Sequence, residues 1–212
     1  MSNDLRVLYL HGFASGPGSR KARFLSRKLA AEGVTLETPA LDAGDFSRLT
    51  ITGQLNLVQQ IVGSDPVILI GSSLGGYVAA LYAARNSNVD RMVLLAPAFC
   101  FHQLWINSMD PDAFDNWKRE GSLPIFHYAE GREVPIGFQL MEDSAEYEPW
   151  PDFRQPALIF HGTEDRSVPV QYSAEFVQKH ENARLITLHS GHELTEVLEP
   201  VWEYSAPFLL RP

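Results

Sequence analysis

The chain reads as an α/β protein of about six mostly parallel strands with helices on both faces. Two observations predict this. Short runs rich in Val, Ile and Leu recur with little polar alternation, as expected of strands buried on both faces. Longer amphipathic stretches separate them, and that βαβα rhythm is the pattern of a parallel sheet with crossover helices. A third observation sets the scale: 212 residues fit one domain of 1–212, since roughly 100–200 residues make a domain.

The strand candidates, in order, are Leu5–Leu10, Val34–Glu37, Val67–Ile70, Met92–Leu95, Ala157–Phe160 and Leu185–Leu188. The first helix spans Ser19–Glu32, with a serine suited to the N-cap and Gly33 suited to the stop. A second spans Phe46–Val62 and ends at Gly63. Leu74–Arg85, Val170–His180 and Glu196–Leu209 follow, the last interrupted by Pro200 and Pro207. The rhythm breaks once. Between Ala96 and Ala157 the chain carries a long stretch without a buried-strand run, too long for a crossover loop and too short for its own domain. It reads as a lid or cap insertion, 99–155, between the fourth and fifth strands. Within it Pro124–Phe138 reads as a hairpin around Glu130–Gly131.

Composition excludes several function classes. The formal net charge is −9, from 17 Lys+Arg against 26 Asp+Glu, which argues against a nucleic-acid partner. Cys100 is the single cysteine, so neither an internal disulfide nor a cysteine-rich metal site is available. No segment approaches the ~18 apolar residues of a membrane span. Met1–Asp4 is polar, without the basic and apolar regions of a signal peptide. A soluble, cytoplasmic protein is the expectation.

The strongest chemical signal is Gly71-Ser72-Ser73-Leu74-Gly75-Gly76, a G-x-S-x-G pattern centred on Ser73. It sits between the run Val67–Ile70 and the helix starting at Leu74. A sharp strand-to-helix turn crowds the positions two residues either side of its centre, and Gly71 and Gly75 are small enough for them. Such a turn lifts the serine hydroxyl above the sheet and aims a helix N-terminus at the reacting oxygen. No lysine lies nearby to make this a phosphate-binding loop.

A serine hydroxyl becomes a nucleophile only when a base takes its proton, and the base is usually a histidine held by a carboxylate. After Ser73 and the insertion, His161, His189 and His192 each follow a strand-like run. His192 fits best, because Gly191 beside it gives the loop freedom to deliver the ring; His189 is the alternative. For the acid, Asp165 follows Ala157–Phe160 at the end where open α/β sheets place their sites, with Glu164 adjacent as the alternative. No carboxylate follows Met92–Leu95 until Asp110, so that placement is empty. An oxyanion hole needs two backbone donors. The amides of Leu74, after the nucleophile, and Phe13, in the glycine-rich loop His11–Gly18, are the candidates.

Together these elements resemble the α/β-hydrolase superfamily, through Leu8–Phe13, Gly71–Gly76, His161–Asp165 with Val168-Pro169, and Gly191-His192. More narrowly, His11-Gly12-Phe13-x-Ser15-x-Pro17-x-Ser19-x-Lys21-Ala22 with Gly71–Tyr77 is similar to the small bacterial serine esterases of the YqiA type. The resemblance implies cofactor-free, metal-free hydrolysis of a carboxylic ester or thioester through an acyl-enzyme, with Ser73, His192 and Asp165 as the triad. Substrate contacts are expected from His11, Gly12, Trp105 and Trp117. An acyl thioesterase, its substrate's phosphates met by Arg20, Lys21 and Arg23, a serine aminopeptidase and a non-catalytic ligand-binding protein are the alternatives.

The insertion bears on the substrate. It holds 11 of the 23 aromatic residues, enough to line an apolar acyl or aryl pocket. It also carries a net −7, against +2 for residues 1–98 and −4 for 156–212. An acidic entrance would disfavour anions, so a neutral small-molecule ester with an apolar acyl or aryl group is the expected partner.

Overall fold

In a computed structural model, residues 6–211 are described. Met1–Asp4, read above as a polar N-terminus, and Leu5 of the first run lie outside the described residues. The chain order is β1 (Arg6–Leu10), α1 (Arg20–Ala31), β2 (Leu36–Glu37), α2 (Ile51–Val62), β3 (Val67–Ser72), α3 (Leu74–Arg85) and β4 (Val89–Leu95). Then come α4 (Phe101–Ser108), α5 (Pro111–Glu120), β5 (Ser122–His127), β6 (Arg132–Gly137) and α6 (Gln139–Ser144). The chain closes with β7 (Ala157–Gly162), α7 (Val170–Lys179), β8 (Ala183–Leu188) and α8 (Leu198–Leu209).

Six strands form one sheet in the order β2-β1-β3-β4-β7-β8, with every neighbouring pair parallel. Successive side chains of a strand face opposite sides, so the apolar runs feed two cores. Val7, Tyr9, Ile68, Ile70, Val93 and Leu95 pack beneath α1 and α8. Leu8, Leu10, Val67, Leu69, Met92 and Leu94 pack with α2, α3 and α7 on the other face. The parallel sheet with helices on both sides is thus the one expected from the unalternating runs.

Two helix expectations need correction. Phe46–Val62 is not one helix. A short 3₁₀ turn, Phe46–Arg48, is capped by Asp45, and Thr50 then starts α2 by accepting from the Gly53 amide at 2.9 Å. A threonine at this point favours the cap over the helix interior. The final helix is also not interrupted. It begins at Leu198, so Pro200 falls in the first turn, where a missing N–H costs little. Pro207 lies inside it on the exposed side, and α8 runs on to Leu209.

The segment 99–155 contributes α4, α5, the antiparallel β5–β6 hairpin and α6. It is tied to the body at several points. Tyr128 N–H donates to the Ala14 carbonyl, Tyr77 Oη to the Glu148 carbonyl, and Gln139 Nε2 to the Ser47 carbonyl. Among the described residues no helix is long and apolar enough to cross a membrane.

Candidate active site

The carboxyl ends of β1, β3, β7 and β8 lie side by side or one strand apart, and the loops leaving them carry the residues singled out by sequence. The turn after β3 is the tightest. Ser73 has φ 53° and ψ −118°, a conformation that L residues rarely adopt. It stands at the N-cap of α3, yet its hydroxyl makes no cap bond. The glycines around it have a steric reason. A Cβ on Gly71 would come within 2.5 Å of the Gly75 carbonyl oxygen. A Cβ on Gly75 would overlap the carbonyl oxygens of Leu10 and His11. The strand-to-helix turn can therefore press α3 against β1 only with glycine at both positions.

The Ser73 hydroxyl instead meets His192. Its Oγ lies 2.9 Å from His192 Nε2, and His192 Nδ1 lies 2.7 Å from Asp165 Oδ2. The protons follow from the partners. Asp165 accepts N–H bonds from Ser167 and Val168 at 2.8 Å each through Oδ1, and its side chain is fully buried. Burial alone would raise its carboxyl. The bonds from His161 and His192, with the Val168 amide, outweigh it and hold the group well below the usual carboxylate range. An ionised carboxylate only accepts, so His192 Nδ1 carries the proton and Nε2 is left to accept from the serine.

His161 takes a place the sequence did not foresee. It is fully buried behind Asp165, with Nε2 2.9 Å from the Val168 carbonyl and 3.2 Å from Asp165 Oδ2. Both partners are acceptors, so Nε2–H donates to them, and Nδ1 accepts from the Ser173 hydroxyl at 2.8 Å. The alternative pair, His189 and Glu164, lies at the surface 3.8 Å apart, with the histidine side chain 86% exposed. The two loops are stitched together. Thr163 N–H donates to the Leu188 carbonyl and Glu164 N–H to the Ser190 carbonyl, and Gly162 has no room for a Cβ beneath Ser190.

The amides of Phe13 and Leu74 donate to no group among the described residues, which leaves both available to a ligand. Phe13 packs its ring against Phe46 and Trp105 at 5.3 and 5.2 Å. Burial pushes the Cys100 thiol up to about 11, so it is not a competing nucleophile at neutral pH.

A cavity of about 1040 Å³ opens over Ser73 and His192. Gly12 and Phe13 of the first loop line it, with Phe101, Leu104 and Trp105 of α4 and Ile125 and Phe126 of β5. Two expected substrate contacts do not. Trp117 is 1% exposed, with its indole N–H on the Ile136 carbonyl at 3.0 Å, and sits inside the core of the insertion. His11 is turned inward. Its Nε2 accepts from the Leu41 amide and its Nδ1–H donates to the Gly12 carbonyl, bonds that hold the first loop. The expected acidic entrance is also absent. None of the eleven carboxylates of 99–155 lines the cavity; its charged lining residues are Arg20, Lys21, Arg23 and Glu193. Net charge counted along a segment says nothing of which face carries it, so the insertion's acidity gives no ground for preferring a neutral ester.

Comparison with known proteins bears on this arrangement. The sequence model of the Uncharacterised protein family UPF0227 matches residues 6–208. Monoacylglycerol lipase abhd6-B of Xenopus laevis is 32% identical over 107 residues, which are 45% of this chain and 31% of that protein. The chain thus aligns to about a third of the length of that curated relative. Among solved structures, a protein of Agrobacterium vitis S4 superposes with a TM-score of 0.83 at 21% identity, covering 98% of this chain and 88% of its own. Alpha/beta hydrolase domain-containing protein 10 from mouse gives 0.77 at 16% identity, over 95% and 90%. Est1E of Butyrivibrio proteoclasticus with ferulic acid bound gives 0.76 at 19% identity, over 98% and 90%. The fold is that of the α/β hydrolases.

Proposed function

Because the chain belongs to the family UPF0227 and has the α/β-hydrolase fold, we propose that it is a serine hydrolase cleaving a carboxylic ester through an acyl-enzyme. The observation that carries this reading is the unbroken relay Asp165 Oδ2, His192, Ser73 Oγ at 2.7 and 2.9 Å, on a serine whose strained backbone frees its hydroxyl. His192 Nε2 takes the proton as Ser73 Oγ attacks the ester carbonyl. Asp165 fixes the tautomer and stabilises the imidazolium. The amides of Phe13 and Leu74 receive the developing oxyanion, each such donor contributing roughly 3–4 kcal/mol. His192 then protonates the departing alcohol and activates water against the acyl-enzyme. The apolar lining from α4 and β5 suits an acyl or aryl group. In this reading 99–155 acts as the lid, since it supplies that wall.

One observation favours a second reading. Arg20 and Arg23, exposed on the cavity wall, suit the phosphates of an acyl thioester, so a thioesterase follows from the same chemistry with a different leaving group. The deciding experiment has two parts. A fluorophosphonate probe is expected to label Ser73, and S73A is expected to lose on the order of 10⁶ in kcat on aryl esters. An unlabelled Ser73 without turnover would instead favour a binding protein on the same fold, and wild-type turnover in S73A would sink the assignment of Ser73 as the nucleophile. Aryl esters of graded acyl length, run beside acyl thioesters, separate the two substrate classes.

A further inference from the structure

Resting on the hydrolase reading, we propose that Lys21 is a positioning residue. Its ammonium holds the carbonyl immediately after His192 and so keeps the imidazole between Ser73 and Asp165.

The residue lies in the motif Ser19-x-Lys21-Ala22, which the triad chemistry leaves unexplained. It stands in the first turn of α1, 172 positions from its partner along the chain. There its Nζ donates to the Glu193 carbonyl at 2.8 Å and lies 3.4 Å from Glu193 Oε2. Among the described residues this is the only hydrogen bond made by the backbone of His192 or Glu193. The loop needs one. Gly191 precedes the histidine with open space around its Cα, and Leu194 follows in a left-handed conformation at φ 53°. Upstream, Glu196 Oε1 accepts from the Ser190 hydroxyl at 2.6 Å and the Gly191 amide at 3.4 Å. Downstream, Leu194 is buried in the core beneath α1 and α8, and among the described residues Lys21 supplies the one side-chain hydrogen bond from the body to the backbone between them.

Packing does not call for an ammonium here. Lys21 is 8% exposed. Burial lowers its pKa, and the carboxylates of Glu193, Asp165 and Glu196 restore only part of that loss. An apolar side chain would be cheaper to bury. What an apolar side chain cannot do is donate to a carbonyl. A misplacement of about 1 Å at a reacting group costs on the order of 10²-fold in rate, so one tether at this point has leverage on turnover.

The test compares the wild type with K21M and K21R. On p-nitrophenyl acetate, K21M is expected to lose roughly 10–10² in kcat with KM within about 3-fold. K21R, which keeps the charge and the donors, is expected to recover to within about 5-fold of wild type. Independently of turnover, the low-field NMR signal of the His192 Nδ1 proton on Asp165 is expected to weaken in K21M and return in K21R. Unchanged kcat in a folded K21M, an equal loss in K21R and K21M, or an undisturbed ring-proton signal in K21M would overturn the proposal. The NMR signal needs no hydrolysis, so a wild type without turnover would sink the hydrolase reading while this readout still decides the tether.

Discussion

Two regions build the walls of the cavity, and they do so by different physics. The loops after β1, β3, β7 and β8 are held by backbone contacts that admit almost no substitution: Gly71 and Gly75 beneath α3, Gly162 beneath Ser190. The segment 99–155 is held by rings. Trp105, Trp117, Phe114 and Phe138 form a chain of aromatic contacts with centroids 5.3–6.4 Å apart. The first region restricts which residue stands where. The second restricts only how much apolar volume is present. On the hydrolase reading, the chemistry belongs to the first region and the choice of substrate to the second, and that division is open to test by substitution.

The largest expected effect lies in the loops. D165N keeps the shape of the acid but lets the imidazole take the wrong tautomer, so kcat should fall by about 10⁴. The same variant has a pH signature. The Asp165 carboxyl is held below the ordinary range in the folded chain. Its contribution to stability is therefore present above the unfolded value near ~3.9 and is lost as pH falls through the folded value. Urea titrations should show wild type more stable than D165N by a constant margin above about pH 5, with the margin closing as the pH is lowered further. A margin that does not change with pH would mean that the low carboxyl value plays no part in holding the loop.

The same contrast explains what could be read from the sequence. The strand runs matched because a strand buried on both faces must be apolar at nearly every position. Ser73 was legible because a sterically closed turn admits glycine at 71 and 75, and that leaves a written trace. Asp165 and His192 followed from chain order and strand ends. His161 was weighed only as a base, since its role depends on a side chain 12 positions away, Ser173, and on the fold of the Asp165 loop. Lys21 was visible as a motif residue but its partner is 172 positions distant, beyond any local pattern. Trp105 and Trp117 could not be told apart, because a buried and a cavity-facing tryptophan differ only in which side of α4 and α5 meets the hairpin.

That pair gives the next test. W117A removes a fully buried ring and its bond to the Ile136 carbonyl, so it should lower stability by about 3–5 kcal/mol. Fluorophosphonate labelling of the folded fraction should persist. W105A should be the reverse. Its ring lines the cavity, so KM for long-acyl or aryl esters should rise about 10-fold, equivalent to roughly 1.4 kcal/mol, with acetate esters little affected. If W117A changed substrate preference as W105A does, the insertion would not divide into an inner core and a cavity wall.

The smallest effect is expected where the insertion meets α3. Arg85 and Glu148 form a two-bond ion pair at 2.8 and 2.7 Å, with the arginine also over the Tyr147 ring at 5.3 Å. Both side chains are about two-fifths exposed, so water screens the pair and it should contribute about 0–1 kcal/mol despite its geometry. The buried bond from Tyr77 Oη to the Glu148 carbonyl, and the stack of Tyr77 on Phe101, hold the same junction without charge. R85A should therefore shift the urea midpoint only slightly and leave turnover within about 2-fold, and the shift should shrink further in high salt. A loss as large as that of W117A would show that the insertion is held by ion pairs at its rim, and the division between a ring-built wall and a backbone-built one would have to be redrawn.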